Sequence, residues 1–252
     1  GGARPKALVE DENTLWIAKF NHPDDKWNVA RVEHAMLKLA RECGMQTSES
    51  KVLPIGGRDV LMVKRFDREH TDAGYRRGRM LSALTLLRAD DDYQDRVRWS
   101  YVLLAEELRR ISSQPRTDAP ELFRRMVFNA LISNVDDHPR NHAVVAMDTD
   151  WKLSRAYDLT PSTPISTDYR YLALECGDMG RLANAGNLLT QCERFYLAPD
   201  DARNMTDRME AVVRDNWHAV ARKEGVTEKD CEKISSAFPY AGFRLESASS
   251  FV

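Results

Sequence analysis

The stretch Asn134-Val135-Asp136-Asp137-His138-Pro139-Arg140-Asn141 decides the reading of this chain. Two short strand-like runs follow it, His142 to Met147 and Trp151 to Ala156, joined by Asp148-Thr149-Asp150. The second run leads into Tyr157-Asp158-Leu159. Upstream, Leu122, Phe123, Met126, Val127, Ala130 and Leu131 recur at helical spacing and deliver the chain into the polar loop. Pro120 is read as sitting at the start of that helix, where its missing N–H is harmless. A β-hairpin set among helices, with polar residues packed at both ends, is where chemistry is to be sought.

The order is an Asp, an Asn five positions later, a hairpin, then another Asp. Protein kinases use this order, with Asp-x-x-x-x-Asn in the catalytic loop and a later Asp on metal. The first Asp must face an acceptor hydroxyl, while the Asn turns back toward Mg²⁺ and the hairpin returns a second carboxylate to the same ion. Mg²⁺ takes one or two oxygen ligands from protein and the rest from phosphates and water. Asn141 and Asp158 are the candidates for that share, with ATP as the phosphate source. Against this stands an ordinary turn reading, because Asp and Asn routinely bond their own backbone. A third reading groups His138 and His142 with Asp136, Asp137 and Asp158 as a hydrolytic metal site, but no H-E-x-x-H or similar rigid pair is present. His138 is read as hydrogen-bonding within the loop and holding Asp136.

Outward from the loop, the first seventy residues read as strands and one helix. Lys6 to Glu10 and Thr14 to Phe20 flank the turn-forming Asp11-Glu12-Asn13, and Lys51 to Ile55 and Val60 to Phe66 flank Gly56-Gly57. Between them Val32, Ala35, Met36, Leu39, Ala40 and Cys43 mark an amphipathic helix ending at Gly44. In Leu15-Trp16-Ile17-Ala18-Lys19-Phe20, Lys19 interrupts an apolar run. It is either a phosphate-binding strand lysine, costly to bury unpaired, or a residue emerging at a strand end. Glu33 is either its partner or an exposed carboxylate near a helix N-terminus. Gly1-Gly2-Ala3-Arg4-Pro5-Lys6 is a candidate phosphate-covering turn or an expression remnant.

The remainder is mostly helical: Leu81 to Leu87 is apolar, Trp99 to Ile111 is a helix, a longer one runs from Asp200 past Val220, and Thr227 caps a last one that buries Ile234 and Phe238. Arg76, Arg77 and Arg79, beside Gly74 and Gly78, are read as a mobile loop. The 252 residues are 42% hydrophobic and 30% charged with a net charge of −2, which excludes a disordered chain and argues against a wholesale nucleic-acid binder. No apolar run approaches the ~18 residues of a membrane span, and no signal peptide is expected at Gly1 to Lys6. Cys43, Cys176, Cys192 and Cys231 form no C-x-x-C pair and are expected as thiols in a reducing cytoplasm.

Read together, four motifs resemble the HipA-type toxin kinases, serine/threonine kinases of bacterial toxin–antitoxin modules. They are Gly1 to Lys6, Trp16 to Phe20, Val63-Lys64-Arg65-Phe66-Asp67-Arg68, and Asp136 to Asn141 with Tyr157-Asp158. The resemblance covers the chain firmly to about Pro164 and loosely beyond. It implies a two-lobed α+β protein-kinase-like fold, with a small β-rich N-lobe over residues 1–70 and a mainly helical C-lobe over 71–252. It implies Asp136 as the catalytic Asp, Asn141 and Asp158 as Mg²⁺ ligands, and Lys19 on ATP phosphate. Gly2, Ala3, Val63, Lys64, Phe66, Asp67, His138 and Arg140 are the further nucleotide-binding candidates, with Val63 to Phe66 as the adenine hinge. The implied substrate is a translation component such as an aminoacyl-tRNA synthetase. The implied partner is a helix-turn-helix antitoxin of the HipB type, through which operator DNA is reached, with no membrane association.

Two departures stand out. Lys64 occupies a hinge position where an acidic residue is common. The family also carries a segment with a regulatory serine ahead of the glycine motif, whereas this sequence opens at Gly1, so self-regulation through that serine is not assigned. A catalytically silent kinase-like partner of a DNA-binding repressor and a small-molecule kinase are the alternative functions.

Overall fold

In a computed structural model, which describes residues 4–163, 166 and 168–244, the chain opens with two antiparallel hairpins. Strands β1 (Lys6–Asp11) and β2 (Thr14–Phe20) pair first, helix α1 (Val29–Glu42) follows, and β3 (Ser50–Ile55) pairs with β4 (Arg58–Lys64). The sheet order is β1-β2-β4-β3. Each hairpin turns on two residues with positive φ, Glu12 and Asn13 at 47° and 59° and Gly56 and Gly57 at 59° and 76°. Paired positive φ gives the turn whose twist matches the flanking strands.

Strand alternation then assigns the faces. Ala18 packs with Val60 and Met62 on one side, whereas Leu61 and Val63 meet Ala30 of α1 on the other. Lys19 lies opposite Leu61 in the register, on the α1 side. Asn28 caps α1 by accepting from Arg31 N at 3.2 Å, and Gly44 ends it at φ 80°. The helix is buried on two sides, since Val32, Met36 and Leu39 belong to the large core of the rest of the chain. That double burial fixes Glu33 beneath the sheet.

Next come β5 (Arg68–Thr71), β6 (Gly74–Arg77) and β7 (Arg79–Ser82), then α2 (Ala83–Leu86), α3 (Tyr101–Ile111) and α4 (Pro115–Leu131). The expected mobile loop of Arg76, Arg77 and Arg79 is instead strand. Arg76 and Arg77 pair with β5, and Arg79 pairs with Ala146. Gly78 joins the two strands at a close approach, because a Cβ there would meet Met147 Sδ at 2.6 Å. The α4 helix begins five residues earlier than expected. Pro115 holds the first helical position, and Pro120 lies inside the helix.

The hairpin after the polar loop is shorter than its sequence suggests, β8 (Ala143–Ala146) and β9 (Lys152–Leu153), and β7 completes a three-stranded sheet in the order β7-β8-β9. The chain continues through α5 (Ala185–Leu189), α6 (Pro199–Lys223) and α7 (Glu228–Ile234). Thr227 caps α7 by accepting from Asp230 N, and Phe238 stacks on Trp217 at 4.4 Å. Phe123, Phe128, Leu104 and Leu108 lie at the centre of the main core. The four cysteines are free and buried. Among the described residues no helix is long and apolar enough to cross a membrane.

Candidate active site

A cleft of about 540 Å³ opens between the four-stranded sheet and the β7-β8-β9 region. Lys19 enters it from β2, and its ammonium lies 2.5 Å from Glu33 Oε1 and 2.7 Å from Asp158 Oδ1. The lysine side chain is only 11% exposed. Burial works against its charge, but the attraction of Glu33 and then Asp158 outweighs this and raises its pKa. Burial conversely pushes the Glu33 carboxyl up, with Lys19 opposing. At Asp158 the pull of Lys19 prevails over burial and lowers the value. Lys19 is therefore a cation held between two carboxylates.

Asp158 reaches the cleft because the segment after β9 is pinned to the stretch between α1 and β3. Ala156 N donates to Gln46 O at 2.8 Å, and Ser48 N donates to Ala156 O at 2.9 Å. Asp158 itself adopts φ 62°, a conformation that Asp tolerates better than most residues. Such local strain is commonly found at working sites.

Asn141 lines the same cleft at the end of a tight turn over Pro139–Asn141. His138 caps that turn, its Nδ1 accepting from Arg140 N at 3.0 Å, while Asn141 N donates to His138 O at 2.7 Å. The side-chain amide of Asn141 has no partner among the described residues. Arg140 also lines the cleft, but its guanidinium pairs with Asp91, and its carbonyl accepts from Tyr157 O–H at 2.8 Å. Tyr157 stacks on Phe66 at 5.7 Å and extends the apolar wall.

In the Val63–Asp67 segment, Lys64 N and Arg65 N donate to Glu49 O and Leu15 O, both at 2.9 Å. Phe66 N–H has no partner among the described residues. Lys64 Nζ lies 3.2 Å from Glu49, so its charge is answered outside the cleft. The Asp67 carboxylate is fully engaged, accepting from Arg65 at 2.8 and 2.6 Å and from Arg68. It lines the cleft and braces its wall through these bonds.

The cleft thus gathers Lys19, Val63, Lys64, Phe66, Asp67, Arg140, Asn141 and Asp158. Asp136 and His138 are not among its lining residues. Asp136 is exposed on the loop and has no hydrogen-bond or ion-pair partner among the described residues. His138 does not hold Asp136. Besides capping the turn, it uses Nε2 to reach Asp91 at 2.7 Å. Gly2 and Ala3 lie outside the described residues. Sequence reasoning left Glu33 open between two readings and missed Met80 and Ser82 as lining residues. Met80 becomes legible only once β7 is paired with β8.

The HipA-like C-terminal domain profile matches residues 1–217. The chain belongs to the HipA-like C-terminal domain family. Two Sinorhizobium fredii proteins are similar to it. "Putative kinase Y4dM" is 27% identical over 256 residues, and "Putative kinase Y4mE" is 27% identical over 130 residues. The alignments cover 92% and 50% of this chain but only 58% and 31% of those proteins, so this HipA-like chain spans about half the length of the first relative. Among solved structures, Shewanella oneidensis HipA, in complex with HipB and operator DNA, superposes with a TM-score of 0.73 at 15% identity. That match covers 94% of this chain and 62% of the other. The Helicobacter pylori proinflammatory kinase CtkA superposes at 0.55 with 13% identity and 92% coverage of both. These likenesses establish the two-lobed α+β kinase-like fold.

Proposed function

We propose that this HipA-like chain is an ATP- and Mg²⁺-dependent serine/threonine protein kinase. The observation that carries the reading is Lys19 held between Glu33 and Asp158 in a cleft shared with Asn141. The donor set fits the cofactor. The Asn141 side-chain oxygen and the Asp158 carboxylate are hard oxygen ligands of the kind Mg²⁺ prefers, and two protein ligands suffice when phosphates and water complete the shell. Bound magnesium would neutralise charge on the β- and γ-phosphates.

Within that reading Lys19 binds the α/β-phosphates and Glu33 orients it. Phe66 N–H is a donor for the adenine edge, and Ile17, Val63 and Phe66 supply apolar wall. Asp136, exposed and without a partner among the described residues, would orient a serine or threonine hydroxyl and accept its proton late in an in-line transfer. Arg140 assists phosphoryl charge only by leaving Asp91.

The wider assignment follows the family. The protein substrate is a translation component such as an aminoacyl-tRNA synthetase, in the cytoplasm. A helix-turn-helix antitoxin of the HipB type neutralises the kinase and links it to operator DNA. The presence of HipB and operator DNA with the Shewanella oneidensis HipA supports this partner. Incubating the chain with γ-labelled ATP, Mg²⁺ and bacterial lysate tests the reaction. Label in protein supports it. Label only in small molecules points to a metabolite kinase, and nucleotide binding without any transfer points to a silent interaction module.

A further inference from the structure

The catalytic loop contains two consecutive polar pairs, Asp136-Asp137 and Asn141-His142, and the fold divides the members of each pair. The first members face solvent or the cleft, whereas Asp137 and His142 are 1% and 3% exposed. The two inner residues are bonded to each other, His142 Nε2 to Asp137 Oδ2 at 2.6 Å. The O–H of Tyr101, at the start of α3, donates to the same carboxylate oxygen. Asn129 Nδ2 donates to Tyr101 Oη at 3.0 Å, and Asn134 Nδ2 donates to Asn129 Oδ1 at 3.0 Å. The Tyr101 and His142 rings meet edge to face at 5.4 Å. All of these side chains are buried.

Because Asp137 accepts, His142 carries its proton on Nε2. Its Nδ1 is buried without a partner among the described residues, and its Nε2 bonds to Asp137. Burying this polar chain costs desolvation, which its hydrogen bonds recover only while every link stays in place. Its reach matches the reacting geometry. Asp137 adjoins Asp136 and His142 adjoins Asn141, so the bond between the inner residues fixes how far apart the outer two stand. His142 O also accepts from Ala83 N at 2.8 Å, which ties the far end of the loop to α2.

We infer that Tyr101, Asp137 and His142 are positioning residues that brace the loop from behind and set the Asp136–Asn141 geometry. This rests on the phosphotransfer reading above. None of the three lines the cleft, so their effect falls on the transfer step and not on nucleotide capture. A displacement of about 1 Å in reacting groups costs about a hundredfold in rate.

The test measures kcat for labelled phosphate transfer, nucleotide Kd and thermal midpoint in Tyr101→Phe, His142→Phe, Asp137→Leu and Asp137→Asn. The expected result is a fall in kcat of about tenfold to a hundredfold in the first three, with nucleotide Kd within about twofold of the unmodified chain. Asp137→Asn keeps an oxygen that accepts from both Tyr101 and His142, and recovers most of the rate that Asp137→Leu loses. Tyr101→Phe removes a single hydroxyl and keeps the ring packing, so it remains informative if Asp137→Leu does not fold. Undiminished kcat in Tyr101→Phe and His142→Phe overturns the inference. So does a parallel loss of rate, nucleotide affinity and thermal midpoint in Tyr101→Phe, which marks plain support of the fold. If the unmodified chain transfers no phosphate at all, it is the kinase reading that fails.

Discussion

Lys19 Nζ lies 2.7 Å from Asp158 Oδ1 although 139 residues separate the two in sequence. One comes from the second strand of the N-terminal sheet and the other from the segment after β9, so this contact closes the cleft across the two halves of the chain. Glu33 anchors the lysine from α1, and its side chain is only 4% exposed.

That anchor makes Lys19 a stability determinant as well as a candidate phosphate ligand. Lys19→Met leaves Glu33 buried with its compensating charge removed, a situation that costs about 3–5 kcal/mol when one partner of a buried pair is deleted. The double variant Lys19→Met with Glu33→Met removes both charges and regains much of that loss. Urea unfolding of the two variants measures the difference. Equal destabilisation in the single and double variants contradicts the pairing.

On the proposed reading, Asp158 is the group through which metal dependence would enter. In Asp158→Asn the oxygen that faces Lys19 is kept, but the charge offered to Mg²⁺ is lost. Calorimetric titration of the unmodified chain is expected to show ATP binding strengthened by Mg²⁺ and weakened by EDTA. In Asp158→Asn the two conditions give the same affinity. A variant that retains the full magnesium effect assigns the metal elsewhere.

Asp67 gives the fold an acid-sensitive brace. Burial raises the pKa of this carboxyl, but the hydrogen bonds and charge of Arg65, aided by Arg68, hold it below the usual carboxylate range. With the folded value below the unfolded one, the unfolded chain binds the proton more readily. The stabilisation is then complete above about pH 4 and is lost as pH falls further. Asp67→Ala lowers unfolding free energy at neutral pH. Its deficit relative to the unmodified chain shrinks below pH 4, as pH-dependent denaturation checks. A deficit unchanged down to pH 2 contradicts the brace.

Much of this arrangement could be read from local pattern. The two-residue turns at Glu12-Asn13 and Gly56-Gly57, the stripe of α1 and the cap at Thr227 are written in consecutive residues, and the structure carries each of them. Strand β7 was hidden because its arginines and flanking glycines look like a solvated loop, and only pairing with β8 makes it a strand. Pro120 misled because Pro115 already opens the helix and the backbone accommodates a second proline inside it. In the site, Lys19 announced itself by interrupting an apolar run, but its pairing with Glu33 rests on the two-sided burial of α1. The Tyr101–Asp137 bond joins residues 36 apart on different elements, and no spacing rule reports it. His138 bonds within its loop as the sequence suggests, but its other partner, Asp91, lies 47 residues away, and no local pattern shows that it faces Asp91 instead of holding Asp136.

Phosphate transfer by Asp136→Asn, compared with the unmodified chain in Mg²⁺ and γ-labelled ATP, tests the central claim most directly. This exposed side chain has no partner among the described residues, so the substitution leaves folding and nucleotide affinity essentially unchanged. The account predicts labelled serine or threonine in protein with the unmodified chain, and a loss of about a hundredfold or more with the variant. Transfer by the variant at the unmodified rate, or failure of the unmodified chain to bind Mg-ATP, would contradict it.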